Sequence, residues 1–474
     1  MRYISTRGKA PELGFEDVLL TGLARDGGLY VPKTWPALTP ADLKRLAGLS
    51  YAETAFEVCR LFTGDAFDDA TLKGIMDEVY GSFEHSAVAP LKQLDGNLWM
   101  MELFHGPTLA FKDYAMQVLG RMFDHVLTKR GEKVTIVGAT SGDTGSAAIE
   151  AFRDSANAEI FIFFPKGRVS PVQQHQMTTV DAPNVHAIAL EGTFDDCQDM
   201  VKALFNDIAF RDKHNLSGVN SINWARILPQ VVYYVTSALS IGATAERPVS
   251  FVVPTGNFGN IFAAYAAKQM GLPVDRMVVA TNQNDILSRF LASGEMKLEG
   301  VQPSISPSMD IQVSSNFERY LFDLFDRDGA AVTEALSGFR ETGHFAVSQG
   351  MLDRARAEFD GFRTDEDGTR ATIKAVYEET GEITDPHSAV SLGAARQARD
   401  SGAIGMDMPM ISLACAHPAK FPDAVESAIG LRPALPPRLA DLLEREERMT
   451  VLANDYGTVS THIAGIVATK ENAA

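Results

Sequence analysis

The chain has 474 residues, which suggests two to four domains at roughly 150 residues each. Hydrophobic residues make up 45% and charged residues 22% of the chain, an ordinary globular composition that excludes disorder along its whole length. The formal net charge of −18 makes it a poor generic binder of DNA, RNA or anionic membranes, because neutralising phosphates requires an excess of Lys and Arg. A local pocket for a small anion is still allowed.

The cysteines and the amino-terminal residues indicate the compartment. Cys59, Cys197 and Cys415 are too few and too scattered for a disulfide framework, and no CxxC pair is present. Residues 1–9 are interrupted by charges and lack the apolar core of a signal peptide. No apolar run approaches the ~18 residues of a membrane span, and the ten histidines show no HExxH or comparable metal spacing. We expect a soluble, cytoplasmic protein without a metal.

Residues 1–98 mix short helical patterns with turn signals, and we treat them as an N-terminal extension domain. Residues 24–32 (ARDGGLYVP) predict a turn followed by a short strand. Residues 39–46 predict a helix with Thr39 as its cap and Pro40 at its first position.

From residue 99 the pattern becomes an alternation of strands and helices. Apolar residues at helical spacing predict a helix over 113–130, and Gly131 suits its C-terminal cap. Strands are predicted at 133–139, 159–164, 185–190, 250–253, 277–280 and 409–414, and further helices at 144–153, 194–207 and 260–270. This alternation predicts an α/β fold with two open parallel or mixed sheet domains, at residues 99–245 and 246–430. Residues 431–474 begin with a proline-rich link, and the charged pattern ADLLEREERM predicts a tail helix.

Ligands of such folds bind at the carboxyl ends of strands, so the strand-to-helix turns are the places to search. The first turn, residues 138–145 (GATSGDTG), offers glycines for close backbone approach and free amides at a helix N-terminus, which suit an anion such as a carboxylate. Thr140, Ser141 and Thr144 add hydroxyl donors. A plain capped turn explains the same residues equally well. The turn lacks the GK[ST] ending that a nucleoside triphosphate would require.

Two further features complete the candidates. Residues 254–260 (PTGNFGN) also join a strand to a helix, and their glycines allow several amides to point at one phosphate-sized anion; the alternative is a plain loop. Lys112 in HGPTLAFKD lies between an apolar run and a helix start. Burial there would lower its pKa and free its amine as a nucleophile or base, although most such lysines extend to water.

Four blocks, HGPTLAFKD, GATSGDTG, PTGNFGN and AHPAKF, resemble threonine synthases in both order and spacing. These are pyridoxal-phosphate enzymes of the tryptophan synthase β-like fold (fold type II). The opening STRGKAPELGFEDVLLTGLARDGGLYVP is similar to that of their longer bacterial and fungal class. The resemblance covers residues 5–430, about nine tenths of the chain.

The resemblance implies roles for the residues around the cofactor. Lys112 matches the lysine that forms the Schiff base with pyridoxal phosphate. The phosphate loop of the cofactor corresponds to Gly256, Asn257, Phe258, Gly259 and Asn260. The loop that grips the substrate α-carboxylate corresponds to Thr140, Ser141, Gly142, Asp143 and Thr144.

Two positions depart from related enzymes. Asp143 stands where an asparagine faces the 3′-oxygen of the cofactor, and a carboxylate there repels a phenolate unless one of them is protonated. Cys415 stands where close relatives carry a threonine that faces the pyridine nitrogen. A thiol is a weaker donor than a hydroxyl, and a small buried cysteine at a strand end is an almost equally good explanation.

A cradle for the substrate phosphate is implied by residues 220–226 (NSINWAR), which are similar to a family block near that site. The candidate donors are Ser221, Asn223 and Arg226, with Lys166 and Arg168 as additional cations. Each of the charged residues could equally be a surface cation.

The resemblance implies the conversion of O-phospho-L-homoserine and water to L-threonine and phosphate by γ-elimination and β-replacement, the last step of threonine biosynthesis. The expected partner is this small molecule, and the expected state is a monomer or homodimer. Two alternatives are another pyridoxal enzyme, such as a dehydratase or a phospho-lyase releasing 2-oxobutyrate, and a non-catalytic anion-binding protein with an exposed Lys112.

Overall fold

Two sheets with parallel strands organise the chain in the computed structural model, which describes residues 1–473, with side chains described through residue 470. The strands in chain order are β1 (Tyr3–Ser5), β2 (Tyr30–Pro32), β3 (Leu91–Gln93), β4 (Leu98–Glu102), β5 (Val134–Ala139), β6 (Ala158–Pro165), β7 (Val185–Glu191), β8 (Leu216–Ser217), β9 (Val249–Pro254), β10 (Val274–Thr281), β11 (Glu295–Lys297), β12 (His344–Ala346), β13 (Phe359–Arg363), β14 (Met410–Ala414) and β15 (Thr450–Ala453).

The α-helices in chain order are α1 (Phe15–Thr21), α2 (Pro40–Leu46), α3 (Tyr51–Thr63), α4 (Asp69–Gly81), α5 (Asp113–Arg130), α6 (Asp143–Phe152), α7 (Pro171–Thr178), α8 (Phe194–Asn206), α9 (Ile208–Lys213), α10 (Trp224–Ser240), α11 (Gly259–Gln269), α12 (Ile286–Ser293), α13 (Phe317–Leu324), α14 (Gly329–Thr342), α15 (Gln349–Glu358), α16 (Glu366–Thr380), α17 (Pro386–Asp400), α18 (Pro422–Ile429) and α19 (Tyr456–Ala473).

The chain divides into two units. The first comprises Met1–Ala115 and Ser221–Pro433, and the second comprises Met116–Asn220 and Ala434–Ala474, the last residue lying outside the described range. The division predicted from the sequence, at residues 98, 245 and 430, stays a prediction.

The first unit contains a six-stranded sheet in the order β13-β10-β9-β14-β4-β3. All neighbouring strands are parallel except β3, which pairs antiparallel with β4. Every residue of β9 is buried, as expected for a central strand covered by helices on both faces. Two small antiparallel pairs, β1 with β2 and β11 with β12, complete the strands of this unit.

The second unit contains a five-stranded, wholly parallel sheet in the order β15-β7-β6-β5-β8. Strand β6 (AEIFIFFP) is buried at all but one residue. The α/β fold class with parallel and mixed sheets is therefore confirmed.

The predicted elements between residues 24 and 414 are present, with ends that differ by a few residues at most. Helix α5 has the predicted bounds. Helix α2 begins with Thr39 accepting from the backbone N–H of Asp42, and Pro40 is its first residue. These elements rely on local signals, namely apolar spacing and capping residues.

The predicted tail helix over residues 440–449 is wrong. That segment holds only short 3-10 turns at Pro437–Leu439 and Leu442–Glu444. Leu442 is buried but Leu443 is 50% exposed, so the segment lacks the apolar stripe that would hold a helix on the sheet. The carboxy-terminal helix is α19, whose Val459, Ile463 and Val467 recur every four residues and pack in the core of the second unit.

Among residues 1–473, we find no helix that is both long and apolar enough to cross a membrane.

Candidate cofactor and substrate site

Lys112 lies beside the carboxyl end of strand β14 in the first unit. The backbone N–H of Phe111 donates to the carbonyl of Cys415 (2.8 Å), and the N–H of His417 donates to the carbonyl of Leu109 (3.0 Å). Leu109 is buried with a φ of 64°, in the left-handed region that non-glycine residues rarely adopt. Lys112 is half-buried, with its Nζ 5.6 Å from the centroid of the Phe111 ring. The strand end therefore fixes where this lysine emerges.

Buried polar contacts hold the segment that precedes Lys112. The carboxylate of Asp113 is fully buried and accepts from the N–H (2.8 Å) and the hydroxyl (2.7 Å) of Thr108. The ammonium of Lys420, also fully buried, donates to the carbonyl of Thr108 (2.7 Å). Lys420 belongs to the AHPAKF block but was not predicted as a site residue. Its position among mostly apolar residues in that block is the sequence feature that could have indicated a buried lysine.

Cys415 follows strand β14 directly and is buried. Its sulfur lies 4.0 Å from Nδ2 of Asn260, in the first turn of helix α11. The Oδ1 of Asn260 accepts from the hydroxyls of Tyr233 (2.6 Å) and Tyr234 (2.7 Å), so the amide NH2 faces the sulfur. Burial raises the pKa of both tyrosines well above the usual value, so each hydroxyl keeps its proton and donates.

The backbone of Cys415 is anchored from helix α17. Its N–H donates to the hydroxyl oxygen of Ser388 (3.0 Å), and that hydroxyl donates to the fully buried carboxylate of Asp385. No motif in the sequence indicated Ser388, Asp385, Tyr233 or Tyr234 as site residues. Their roles depend on which elements meet in space, and the residue types alone give no such signal.

The turn between β9 and α11 is built for an anion. Phe258, the N-cap of α11, has a φ of 61° and makes no side-chain capping bond, so the amides of the first helical turn are available to a ligand. A Cβ on Gly256 would lie 2.9 Å from the carbonyl oxygen of Ser308, and one on Gly259 would lie 3.2 Å from Nδ2 of Asn316. Glycine is therefore required for the packing at Gly256, and it is favoured at Gly259.

The segment over residues 221–226 leads into helix α10 of the same unit. Asn223 is fully buried and caps the helix, since its Oδ1 accepts from the N–H of Ala225 (2.9 Å) and its Nδ2 donates to the carbonyl of Leu19 (2.7 Å). Arg226 is buried, and burial lowers its pKa to about 10, which keeps it charged at neutral pH. A substrate contact of Asn223 stays a prediction, and its observed contacts are with the protein.

In the second unit, the turn between β5 and α6 is ordered by its own side chains. The hydroxyl oxygen of Thr140 accepts from the N–H groups of Gly142 (2.9 Å) and Gly145 (2.8 Å). Gly142 has a φ of 140°, and a Cβ there would collide with the side chain of Gln173. The buried carboxylate of Asp143 accepts from Nε2 of Gln173 (2.8 Å). Ser141 and Thr144 are half-buried in the same turn.

Lys166 and Arg168 follow strand β6 and are both exposed. Lys166 pairs with Glu191 at 3.3 Å. The pKa of Asp196 is lowered mainly by the hydrogen bonds from Thr193, and Arg168 adds a minor electrostatic effect. Their role in binding substrate stays a prediction. Within residues 1–473, no group of three or more His, Cys, Asp or Glu side chains is arranged to hold a metal ion.

The glycine turn that leads into α11 and the lysine beside the carboxyl end of strand β14 fit a pyridoxal-phosphate enzyme of fold type II. Residues 85–337 match the family described as pyridoxal-phosphate dependent enzyme. The flanking regions are more specific, since residues 2–80 match the threonine synthase N terminus and residues 388–463 match the threonine synthase C-terminal region. The chain belongs to the threonine synthase family, and its cofactor is pyridoxal phosphate.

Individual relatives agree over nearly the whole length. The threonine synthase of Pseudomonas aeruginosa is 56% identical over 465 residues, 98% of each chain. The crystal structure of pyridoxal-phosphate-bound threonine synthase from Brucella melitensis is 55% identical, with a TM-score of 0.96 over 98% of this chain and 99% of that one. The crystal structure of yeast threonine synthase is 39% identical, with a TM-score of 0.94 over 99% of both chains.

Proposed function

We propose that this chain converts O-phospho-L-homoserine and water to L-threonine and phosphate, the last step of threonine biosynthesis. The observation that carries the proposal is the meeting of Lys112, Cys415 and the start of α11 at one end of the six-stranded sheet, in a threonine synthase family chain. In the net reaction, phosphate leaves Cγ, one proton moves from Cβ to Cγ, and water adds its hydroxyl to Cβ and its remaining proton to the released phosphate.

The residues present fit the cofactor. The uncapped amides that follow Gly256 would hold the phosphate, with Asn257, Phe258, Gly259 and Asn260 supplying the loop. The amine of Lys112 would bind the carbonyl carbon of the cofactor, and the thiol of Cys415 would face its ring nitrogen as a neutral group. When bound, pyridoxal phosphate supplies an electron sink for negative charge developing on the substrate.

Lys112 would also move the protons of the reaction. With cofactor and substrate bound, the amine of Lys112 would act on the substrate as a general base and then as a general acid. The same amine would transfer protons at Cβ and Cγ.

The substrate carboxylate is assigned to the turn at Thr140, Ser141, Gly142 and Thr144. The sharp glycine turn and the helix start of α6 support an anion there. For Asp143, we propose that the hydrogen bond from Gln173 offsets part of its charge and allows it to lie near the 3′-oxygen.

The substrate phosphate is assigned to Ser221 and Arg226. Arg226 supports this role because it is a charged group in a buried setting, where an electrostatic attraction is stronger than in water. Asn223, Lys166 and Arg168 remain predicted contributors.

We further propose a cytoplasmic location and a monomer or homodimer. All three cysteines are buried free thiols, which suits a reducing compartment. Light scattering on the purified protein would distinguish the two oligomeric states.

The test is an NMR analysis of products after mixing the protein, pyridoxal phosphate and O-phospho-L-homoserine. Threonine and phosphate in equal amounts would establish the proposed reaction. Formation of 2-oxobutyrate would instead assign a phospho-lyase on the same fold, and the absence of any turnover would overturn the substrate assignment.

A further inference from the structure

Residues 314–319 contact the back of the cofactor-phosphate loop. The hydroxyl of Ser314 donates to the carbonyl of Gly256 (2.8 Å), and the backbone N–H of Asn316 donates to the carbonyl of Asn257 (3.1 Å). In a trans peptide the C=O and N–H point in opposite directions. Fixing these two carbonyls therefore turns the amides of Asn257 and Phe258 away from residues 314–316, toward the side assigned to the cofactor phosphate.

The same residues hold the segment assigned to the substrate phosphate. Nδ2 of Asn316 donates to the carbonyl of Ser221 (3.1 Å), and Nη2 of Arg319 donates to the carbonyl of Ile222 (2.5 Å). By the same peptide geometry, these bonds orient the amides of Ile222 and Asn223. The cofactor-phosphate loop and the segment assigned to the substrate phosphate thus both direct backbone carbonyls toward residues 314–319.

Arg319 determines which way the Asn316 amide points. It is fully buried over the Trp224 ring, donates through Nε to the carbonyl of Tyr30 (3.0 Å), and donates through Nη1 to Oδ1 of Asn316. Because Oδ1 receives this hydrogen bond, Nδ2 faces Ser221. Glycine at 259 leaves room for this arrangement, since a Cβ there would lie 3.2 Å from Nδ2 of Asn316.

We propose that Asn316 is a positioning residue that fixes the spacing between the cofactor phosphate and the substrate phosphate. Asn316 acts through hydrogen bonds to the backbone carbonyls of Asn257 and Ser221 and contacts neither ligand. The inference rests on the proposed function, since it takes residues 221–226 as the segment that receives the substrate phosphate. Loss of the Asn316 side-chain donor releases the substrate segment, while its backbone bond to the cofactor loop remains.

The test uses Asn316→Asp, which keeps the shape and the oxygen toward Arg319 but replaces the donor to Ser221 with an acceptor. We expect the KM for O-phospho-L-homoserine, measured at saturating pyridoxal phosphate, to rise about tenfold, with a smaller change in kcat. The Kd of inorganic phosphate for the holoenzyme, measured by calorimetry, should rise in parallel. The Kd of pyridoxal phosphate for the apoprotein should change less.

The matched control is Asn184→Asp. Asn184 is also buried and donates to the carbonyls of Phe152 (2.8 Å) and Ala158 (2.9 Å). It lies just before β7 begins, at the amino ends of the strands and away from their carboxyl ends. It should lower the thermal midpoint without raising KM or the phosphate Kd. If Asn316→Asp does not fold, Asn316→Ala removes the donor without adding charge.

The outcomes separate the two proposals. No threonine from the wild-type protein overturns the proposed function. An active wild type whose KM and phosphate Kd are unchanged in Asn316→Asp, or changed equally in Asn184→Asp, overturns the positioning role.

Discussion

The backbone N–H of Phe111 donates to the carbonyl of Cys415 at 2.8 Å, so the residue before Lys112 is bound to the residue after strand β14. The position of the lysine therefore depends on a central strand of the six-stranded sheet, flanked by β9 and β4. Because Cys415 also approaches Asn260, one strand end aligns the lysine with the anion-binding turn. A rigid strand end suits a group that must reach a defined carbon atom.

Lys112→Arg tests the lysine. The substitution keeps a cation beside Phe111 but removes the primary amine, so kcat should fall by about 10³-fold or more. The visible absorbance of the protein-bound cofactor should be lost as well. Because Lys112 is only half-buried, the thermal midpoint of the apoprotein should change little. Retention of both turnover and cofactor absorbance would exclude Lys112 from the proposed role.

Gly256→Ala tests the cofactor-phosphate turn. The new Cβ would lie 2.9 Å from the backbone oxygen of Ser308, so the turn must shift. Overpacking of this kind costs about 1–3 kcal/mol, which corresponds to a rise of about fivefold to 150-fold in the Kd of pyridoxal phosphate. Fluorescence titration of the apoprotein measures that constant.

The control for this substitution is Gly338→Ala in helix α14, where nothing lies within 4 Å of the added Cβ. Alanine in a helix stabilises by up to about 1 kcal/mol, so we expect an unchanged Kd and a slightly higher thermal midpoint. An equal loss of cofactor affinity in both variants would contradict the turn geometry.

Local sequence signals were enough to predict most of the fold. The capping pair Thr39 and Asp42 and the apolar spacing of α5 determine those helices without reference to the rest of the chain. The prediction of a tail helix was wrong because the charged residues at 440–449 resemble an exposed helix, while only Leu442 is buried in that range. A charged pattern does not reveal whether a helix has a surface to pack on.

Around the candidate site, residue types indicated the anion-binding turns but not what supports them. Asn316 and Ser388 belong to segments without a recognisable motif, and each acts through a hydrogen bond to a residue distant in the chain. Asn223 is the opposite case. The sequence predicted that it binds the substrate phosphate, and in the structure it is the buried N-cap of helix α10. Such contacts depend on how the strands are ordered in the sheet, which periodicity does not specify.

Gln173→Glu tests the turn that carries Asp143. It would place a second carboxylate at the 2.8 Å contact with Asp143, replacing a donor by a like charge. We expect the turn to be destabilised by about 1–3 kcal/mol and the KM for O-phospho-L-homoserine to rise. Since neighbouring carboxylates raise each other's pKa, a proton shared between them should restore part of the contact. The difference in KM between variant and wild type should therefore shrink as the pH falls from 8 to 6.

The neighbouring substitution Gln174→Glu is the matched control. Gln174 lies in the same helix α7 and also donates to a carboxylate, that of Glu447 (2.7 Å). Glu447 belongs to the carboxy-terminal segment and not to the turn that carries Asp143. Gln174→Glu should lower the free energy of unfolding about as much as Gln173→Glu does, but it should leave the KM for O-phospho-L-homoserine unchanged. A rise in KM with both variants would show that general loosening of the second unit, and not the Asp143 contact, affects substrate binding.

Alkaline pH should unfold the first unit steeply, because it buries tyrosines whose pKa values are raised by desolvation. They include the completely buried Tyr3, Tyr51, Tyr80, Tyr114, Tyr233 and Tyr234. In the unfolded chain a tyrosine releases its proton near pH 10, whereas in the folded state it keeps it. The unfolded state then binds fewer protons, so stability is intact below pH 10 and falls as the pH rises above it, by about 1.4 kcal/mol per pH unit for each tyrosine.

Tyr3→Phe isolates one of these groups. The hydroxyl of Tyr3 donates to the carbonyl of Phe62 (2.8 Å), so at pH 8 its removal should cost about 1 kcal/mol. Above pH 10 the variant should lose stability less steeply than the wild type, by the contribution of one tyrosine. Urea unfolding at several pH values between 8 and 11 measures both slopes. Parallel curves would mean that Tyr3 ionises equally in the folded and unfolded states, which its complete burial argues against.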